Sequence, residues 1–214
     1  MIEVVPAVLP RTTDELHAAM ERFVAAGVQR VHLDICDGSF VPTTSISGFE
    51  QLLAKDWGVQ WDVHLMVSTP DEVLSDWWGV PTAERFLVHV ETTDAMNEMA
   101  AHAHGRSRRI GAAINPETSL ERLEDVAEHI DLAMFMTVFP GEQGRPFIPE
   151  VLDRIRSFHG DHPTMPIAVD GGITPTTAPQ CAAAGASILV SGSYVLTSPD
   201  IHGSIHTLEQ SVLG

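Results

Sequence analysis

Histidines and aspartates fall in this chain where they could share one ion. The run Val31-His32-Leu33-Asp34 sets an imidazole and a carboxylate two residues apart, and Asp62-Val63-His64-Leu65-Met66 holds a histidine inside an apolar stretch. A third apolar run ends Val169-Asp170-Gly171-Gly172, and a fourth ends His89-Val90-Glu91. Alternate residues of a strand share a face, so His32 and Asp34 point the same way if their run is a strand. Imidazole with carboxylate suits zinc, iron, manganese or cobalt rather than magnesium or calcium. His32, Asp34, His64 and Asp170 are therefore candidate ligands of one divalent cation. Either histidine alone fits a buried, hydrogen-bonded structural residue better than a ligand; only convergence of the four favours a metal. His89 and Glu91 read as supporting or solvent-facing groups rather than ligands.

Glycine makes a second constellation. Gly171-Gly172 and Gly192-Ser193 each follow a late apolar run. Glycine lets backbone N–H groups approach phosphate oxygens closely. A third feature, Pro140-Gly141-Glu142-Gln143-Gly144-Arg145-Pro146-Phe147, is too polar for core. It reads as a lid over a site or as a turn-rich connection.

Something must bring these residues together, and the pattern of elements supplies it. Short Val-, Ile- and Leu-rich runs alternate with helical segments along the chain. Strands are expected at 2–9, 29–34, 60–66, 85–90, 109–114, 132–136, 166–169 and 187–190. Helices are expected at 13–26, 48–55, 70–76, 93–104, 119–129, 148–159, 175–184 and 199–213, with Thr13 as the first N-cap and Gly27 as its stop. Near-continuous apolar strands separated by helices imply a parallel sheet covered by helices. Eight such units predict a single (β/α)8 barrel domain spanning 1–214; an open doubly wound sheet is the rival. In a barrel the strand C-termini face the active site, and the loops after strands seven and eight often bind phosphate. The candidate residues fall at those ends.

Composition narrows the partners. The 214 residues include 12 Lys plus Arg against 29 Asp plus Glu, a net charge of −17. That balance argues against a nucleic-acid backbone as partner, which needs clustered cations. It leaves a small anionic ligand open, because one pocket can be locally positive. With 44% hydrophobic residues the chain can bury a sizeable core. Charged residues or proline interrupt every apolar stretch before membrane-spanning length, and no signal peptide is read. Two cysteines, Cys36 and Cys181, fit a reducing compartment, so a cytoplasmic location is expected.

Six ordered motifs then carry a family likeness: Val31-His32-Leu33-Asp34-Ile35-Cys36-Asp37-Gly38-Ser39-Phe40-Val41-Pro42, Asp62-Val63-His64-Leu65-Met66-Val67, Gly111-Ala112-Ala113-Ile114-Asn115-Pro116-Glu117-Thr118, Met136-Thr137-Val138-Phe139-Pro140-Gly141, Val169-Asp170-Gly171-Gly172-Ile173 and Val190-Ser191-Gly192-Ser193. With these the chain resembles the ribulose-phosphate 3-epimerase family almost end to end. The resemblance implies a metal-dependent epimerase of a ketose phosphate, and a homo-oligomer. It implies one divalent metal on His32, Asp34, His64 and Asp170, with Asp34 and Asp170 as the acid/base pair. It places Cys36, Met66 and Met136 on the wall around the metal. Substrate and its phosphate fall to Gly141, Gly144, Gly171, Gly172, Gly192 and Ser193.

The departures touch recognition. Ala7 stands where the family usually has serine, Cys36 where it has a third methionine, and Thr43 where it has asparagine. The Thr43–Ser47 loop is one residue longer, and Gly141-Glu142-Gln143-Gly144-Arg145 replaces the usual glycine-rich lid. D-Ribulose 5-phosphate is thus the first expected substrate. Another ketose phosphate, such as a hexulose 6-phosphate, is the second, and a non-catalytic sugar-phosphate-binding role the third. A lyase or decarboxylase is disfavoured because Asp62–Thr69 contains no lysine.

Overall fold

A computed structural model describes residues 2–141 and 144–213. Eight parallel strands close in chain order into a barrel. They are β1 (Glu3–Val8), β2 (Arg30–Cys36), β3 (Gln60–Met66), β4 (Ala83–His89), β5 (Arg109–Ile114), β6 (Leu132–Met136), β7 (Ile167–Asp170) and β8 (Ile188–Ser191). Closure is made by β1 against β8, in a register running from Glu3 opposite Ile188 to Pro6 opposite Ser191. That pairing excludes the open sheet. The helices are α1 (Thr13–Ala25), α2 (Phe49–Ala54), α3 (Pro70–Trp77), α4 (Met96–His104), α5 (Glu121–Glu124), α6 (Val151–Asp161), α7 (Ala178–Ala184), α8 (Ser193–Leu196) and α9 (Ile201–Ser211). None of the described helices is long and apolar enough to cross a membrane.

The strands are apolar along their whole length because both faces are covered. Val31, Leu33 and Ile35 turn outward into one core with Leu16, Met20 and Phe23 of α1. Val5, Leu87, Ala113, Met134, Ala168 and Ile188 turn inward and fill the barrel. Below them, at the N-terminal end, the interior is ionic. Arg85 Nε donates to Asp62 Oδ1 at 2.7 Å, Arg30 Nη1 to the same oxygen at 2.8 Å, and Arg85 Nη1 to Glu3 Oε2 at 3.0 Å. Arg30 also pairs with Glu84.

Several boundaries differ from the sequence pattern for local reasons. Thr12, not Thr13, caps α1; its hydroxyl oxygen accepts from Glu15 N–H at 3.2 Å. The helix expected over 119–129 is only α5 followed by a 3₁₀ turn at Ala127–His129; Leu123 and Ala127 are buried, and Leu120 and Val126 only half-buried against the core. Helix α6 begins at Val151 rather than Ile148. Ile148 N–H is tied to Thr137 O at 2.7 Å, and Pro149 disfavours helical backbone before it. β7 reaches Asp170, and the four-residue α8 is absent from the apolar pattern.

Candidate active site

The parallel register builds the site. β2 and β3 place Asp34 opposite His64 and Cys36 opposite Met66, while β6 and β7 place Met136 opposite Asp170. His32, Asp34, His64 and Asp170 thereby converge at the C-terminal mouth. One ligand atom from each lies within 4.8 Å of all the others. His64 Nδ1 is 2.9 Å from Asp34 Oδ1 and 3.7 Å from Asp170 Oδ2; His32 Nε2 is 3.3 Å from Asp34 Oδ1. Both histidines are fully buried.

The donor chemistry fits a divalent cation. Both ring nitrogens of His32 are buried without a hydrogen bond, since the approach to Asp34 is poorly aligned. A buried polar atom of that kind is costly unless something binds it. Two imidazoles and two carboxylates, all pointed inward, are a donor set for a first-row transition metal or zinc.

The electrostatics divide the two acids. Burial raises the carboxyl of Asp34, but the His32 and His64 rings beside it outweigh that and hold the group well below the ordinary range. Burial pushes Asp170 up to about 7, helped by the neighbouring Asp34 charge. Burial lowers His64 to about 4. His32 is raised: burial works against its charge, and the Asp34, Asp170 and Asp62 carboxylates overcome that.

Above the cluster opens a narrow cleft. Asp34 and Asp170 line it together with Met66 and Met136, and so do Gly141, Gly144, Gly171, Gly172, Gly192 and Ser193. His32 and His64 lie beneath. Cys36 is outside the cleft lining, packed with Val41 and Met66, and burial keeps its thiol far above the ordinary range, so it is a small hydrophobe behind the wall. Ala7 and Arg145 also face the cleft. Glu142 and Gln143 lie outside the described residues.

Backbone strain marks two of the glycines. Gly171 has φ +112°, and a Cβ there would stand 2.4 Å from Val138 Cγ2; at Gly172, φ is +65° and Phe147 backbone lies within 3.2 Å. Thr137, absent from the expected site, fastens this turn: its N–H donates to Asp170 O at 2.8 Å. The Thr43–Ser47 loop folds back on β2, with Ser45 Oγ accepting from Cys36 N–H at 3.0 Å. Asp37 clamps the turn after β2 to the end of β3. It accepts from Ser39 and Phe40 N–H and from Ser68 N–H and Oγ at 2.7–2.9 Å.

His89 and Glu91 stand behind the cluster as supporting groups rather than facing solvent. His89 is fully buried, 3.0 Å from His64 through facing Nε2 atoms, and its Nδ1 is 3.1 Å from Glu91 Oε2. The i, i+2 spacing His89–Glu91 repeats that of His32–Asp34. Strand parity puts Arg85, Leu87 and His89 on the inward face, a signal the sequence contains.

Fold and site together define a barrel enzyme with a candidate metal centre and two unlike acids at its mouth. The sequence matches the model of the "Ribulose-phosphate 3 epimerase family" over residues 3–196. It is 31% identical to a ribulose-phosphate 3-epimerase, cytoplasmic isoform, of Oryza sativa subsp. japonica, covering 99% of this chain and 95% of the relative. It is 32% identical to a ribulose-phosphate 3-epimerase of Mycobacterium bovis, covering 97% and 91%. The barrel is also similar to 3-hexulose-6-phosphate synthase of Salmonella typhimurium, with TM-score 0.71, 17% identity and 99% of each chain covered. At that identity the likeness is one of fold. The chain belongs to the ribulose-phosphate 3-epimerase family and is a carbohydrate epimerase.

Proposed function

We propose that this chain interconverts D-ribulose 5-phosphate and D-xylulose 5-phosphate by passing the C3 proton between Asp34 and Asp170. The observation that carries the reading is the placement of those two acids on one cleft, each with a carboxylate oxygen within 4.8 Å of the facing nitrogens of His32 and His64. Epimerisation beside a carbonyl removes a proton from one face of the carbon and returns one to the other. It needs one ionised and one protonated carrier on either side of a planar enediolate. Asp34 from β2 and Asp170 from β7 reach the mouth from different sides of the barrel, so each can serve one face. Their roles exchange in the reverse direction.

His32, Asp34, His64 and Asp170 would hold one divalent cation, which when bound polarises the carbonyl and offsets the negative charge of the enediolate. Met66 and Met136 keep water from this centre, which strengthens its electrostatics. Backbone at Gly171, Gly172, Gly192 and Ser193, with the loop carrying Gly141 and Gly144, would receive the phosphate.

A hexulose 6-phosphate is the second reading, favoured by Ala7, which lines the cleft with a methyl group. Solvent deuterium exchange at C3 tests both, run with ribulose 5-phosphate and with hexulose 6-phosphates, before and after chelation. Chelator-sensitive exchange on the pentulose is expected. Exchange faster on a hexulose would move the assignment to the second reading, and none on any ketose phosphate would refute both.

A further inference from the structure

We propose that Glu91 and His89 are positioning residues that fix the tautomer of His64, so that its Nδ1 presents a lone pair to the metal centre. The inference rests on the reading of that centre as a metal site.

The chain of contacts runs from a backbone anchor inward. Glu91 Oε1 accepts from Asn115 N–H at 2.8 Å, and its Oε2 faces His89 Nδ1 at 3.1 Å. Burial raises this carboxyl, but the His89, Thr118 and Asn115 bonds bring it down to about 2, so it is an acceptor only. His89 Nδ1 must therefore bring the proton to that contact. In a ring with the proton on Nδ1, Nε2 is a lone pair.

That lone pair meets His64 Nε2 at 3.0 Å. The ring centroids are 5.1 Å apart and the planes differ by 24°. The rings thus meet edge to edge in nearly one plane, where ring N–H bonds and lone pairs lie. One proton belongs between the two nitrogens, and His89 being the acceptor, His64 supplies it. His64 Nδ1 is then left bare, 2.9 Å from Asp34 Oδ1 and 3.7 Å from Asp170 Oδ2. A lone pair facing carboxylate oxygens at these distances is repulsive by itself and favourable around a cation.

Nothing disturbs the relay from the side. His64 and His89 are fully buried, and the Phe40 ring covers His89 with centroids 4.7 Å apart. Partners of this kind behind a metal-bound histidine typically alter metal affinity about 10–100-fold when removed.

The test measures zinc affinity of the purified protein by chelator competition, with thermal unfolding of each metal-free variant as a fold control. Glu91→Gln and His89→Phe are each expected to weaken zinc binding by about 10–100-fold. His89→Gln, whose amide oxygen can accept from His64 Nε2, is expected to recover about tenfold of that loss. Ring ¹⁵N shifts of the metal-free natural chain give a reading independent of any variant: N–H at His64 Nε2 and at His89 Nδ1. A proton on His64 Nδ1, or variants that bind zinc as tightly as the natural chain, would overturn the relay and leave the metal site standing. A natural chain that binds no divalent metal would overturn the metal site, and the relay with it.

Discussion

Replacing Gly171 with alanine should destabilise the protein in two separable ways. The backbone there has φ +112°, and a new methyl would stand 2.4 Å from Val138 Cγ2 and 2.8 Å from its Cγ1. Positive φ costs an L-residue roughly 1–2 kcal/mol, and overpacking a buried site typically costs about 1–3 kcal/mol. The expected loss is thus about 2–5 kcal/mol. At roughly 2–4 °C per kcal/mol for a chain of this size, Tm falls by about 4–20 °C. Val138 is branched at Cβ and cannot swing aside, so the overlap must be relieved by movement of the turn that carries Asp170. Calorimetry reads the first effect, and KM for the sugar phosphate reads the displaced turn. In a Val138→Ala background the contacts with Cγ1 and Cγ2 go, leaving Cβ at 3.0 Å, while the φ cost stays, so Gly171→Ala should then cost less, nearer about 1–2 kcal/mol. A Gly171→Ala protein with unchanged Tm, or the same cost in both backgrounds, would refute the reasoning.

Three further outcomes follow from the same geometry. Asp34→Asn and Asp170→Asn should each lower kcat by about 10²–10⁴-fold or more, measured by coupled assay on folded protein; full activity in both would remove them from the chemistry. Arg85→Met should destabilise the barrel floor by up to about 3–5 kcal/mol in urea unfolding, because Asp62 loses a buried partner, while kcat of the folded enzyme changes little. Asp37 is held down to about 2 from an ordinary 3.8, against burial, by bonds from Ser68, Phe40 and Ser39. A depressed carboxyl stabilises the fold above its unfolded value and loses that contribution as pH falls through the folded one. Thermal unfolding from pH 4 to pH 2 should therefore fall more steeply for the natural chain than for Asp37→Asn.

The strands and their order were legible because each is an unbroken apolar run, and the ends of those runs carried the polar residues that meet at the mouth. Helix ends were legible only where a side chain marked them. Thr12 and Thr13 offer the same cap chemistry, and only the backbone decides between them. The segment 119–129 has helical composition but too few buried anchors to remain one helix. Four site residues were legible because their types fit a metal. His89 was legible only as a supporting group, because its importance lies in which nitrogen of His64 it faces, a matter of register between β3 and β4 rather than of residue type. The status of Cys36 was equally a matter of place: it packs against Val41 and Met66 rather than lining the cleft.

The ionic floor built from Arg30, Arg85, Glu3, Asp62 and Glu84 has a kinetic consequence. With that end tied by ion pairs and the interior above it filled by side chains, the described residues leave the site open at the C-terminal mouth. Two epimers of equal size and charge must pass through it in turn, and neither can leave while the other enters. Each is therefore obliged to compete with the other for the free enzyme. Net flux is then set by the ratio of the two epimers at the mouth, and its direction by whatever removes one of them.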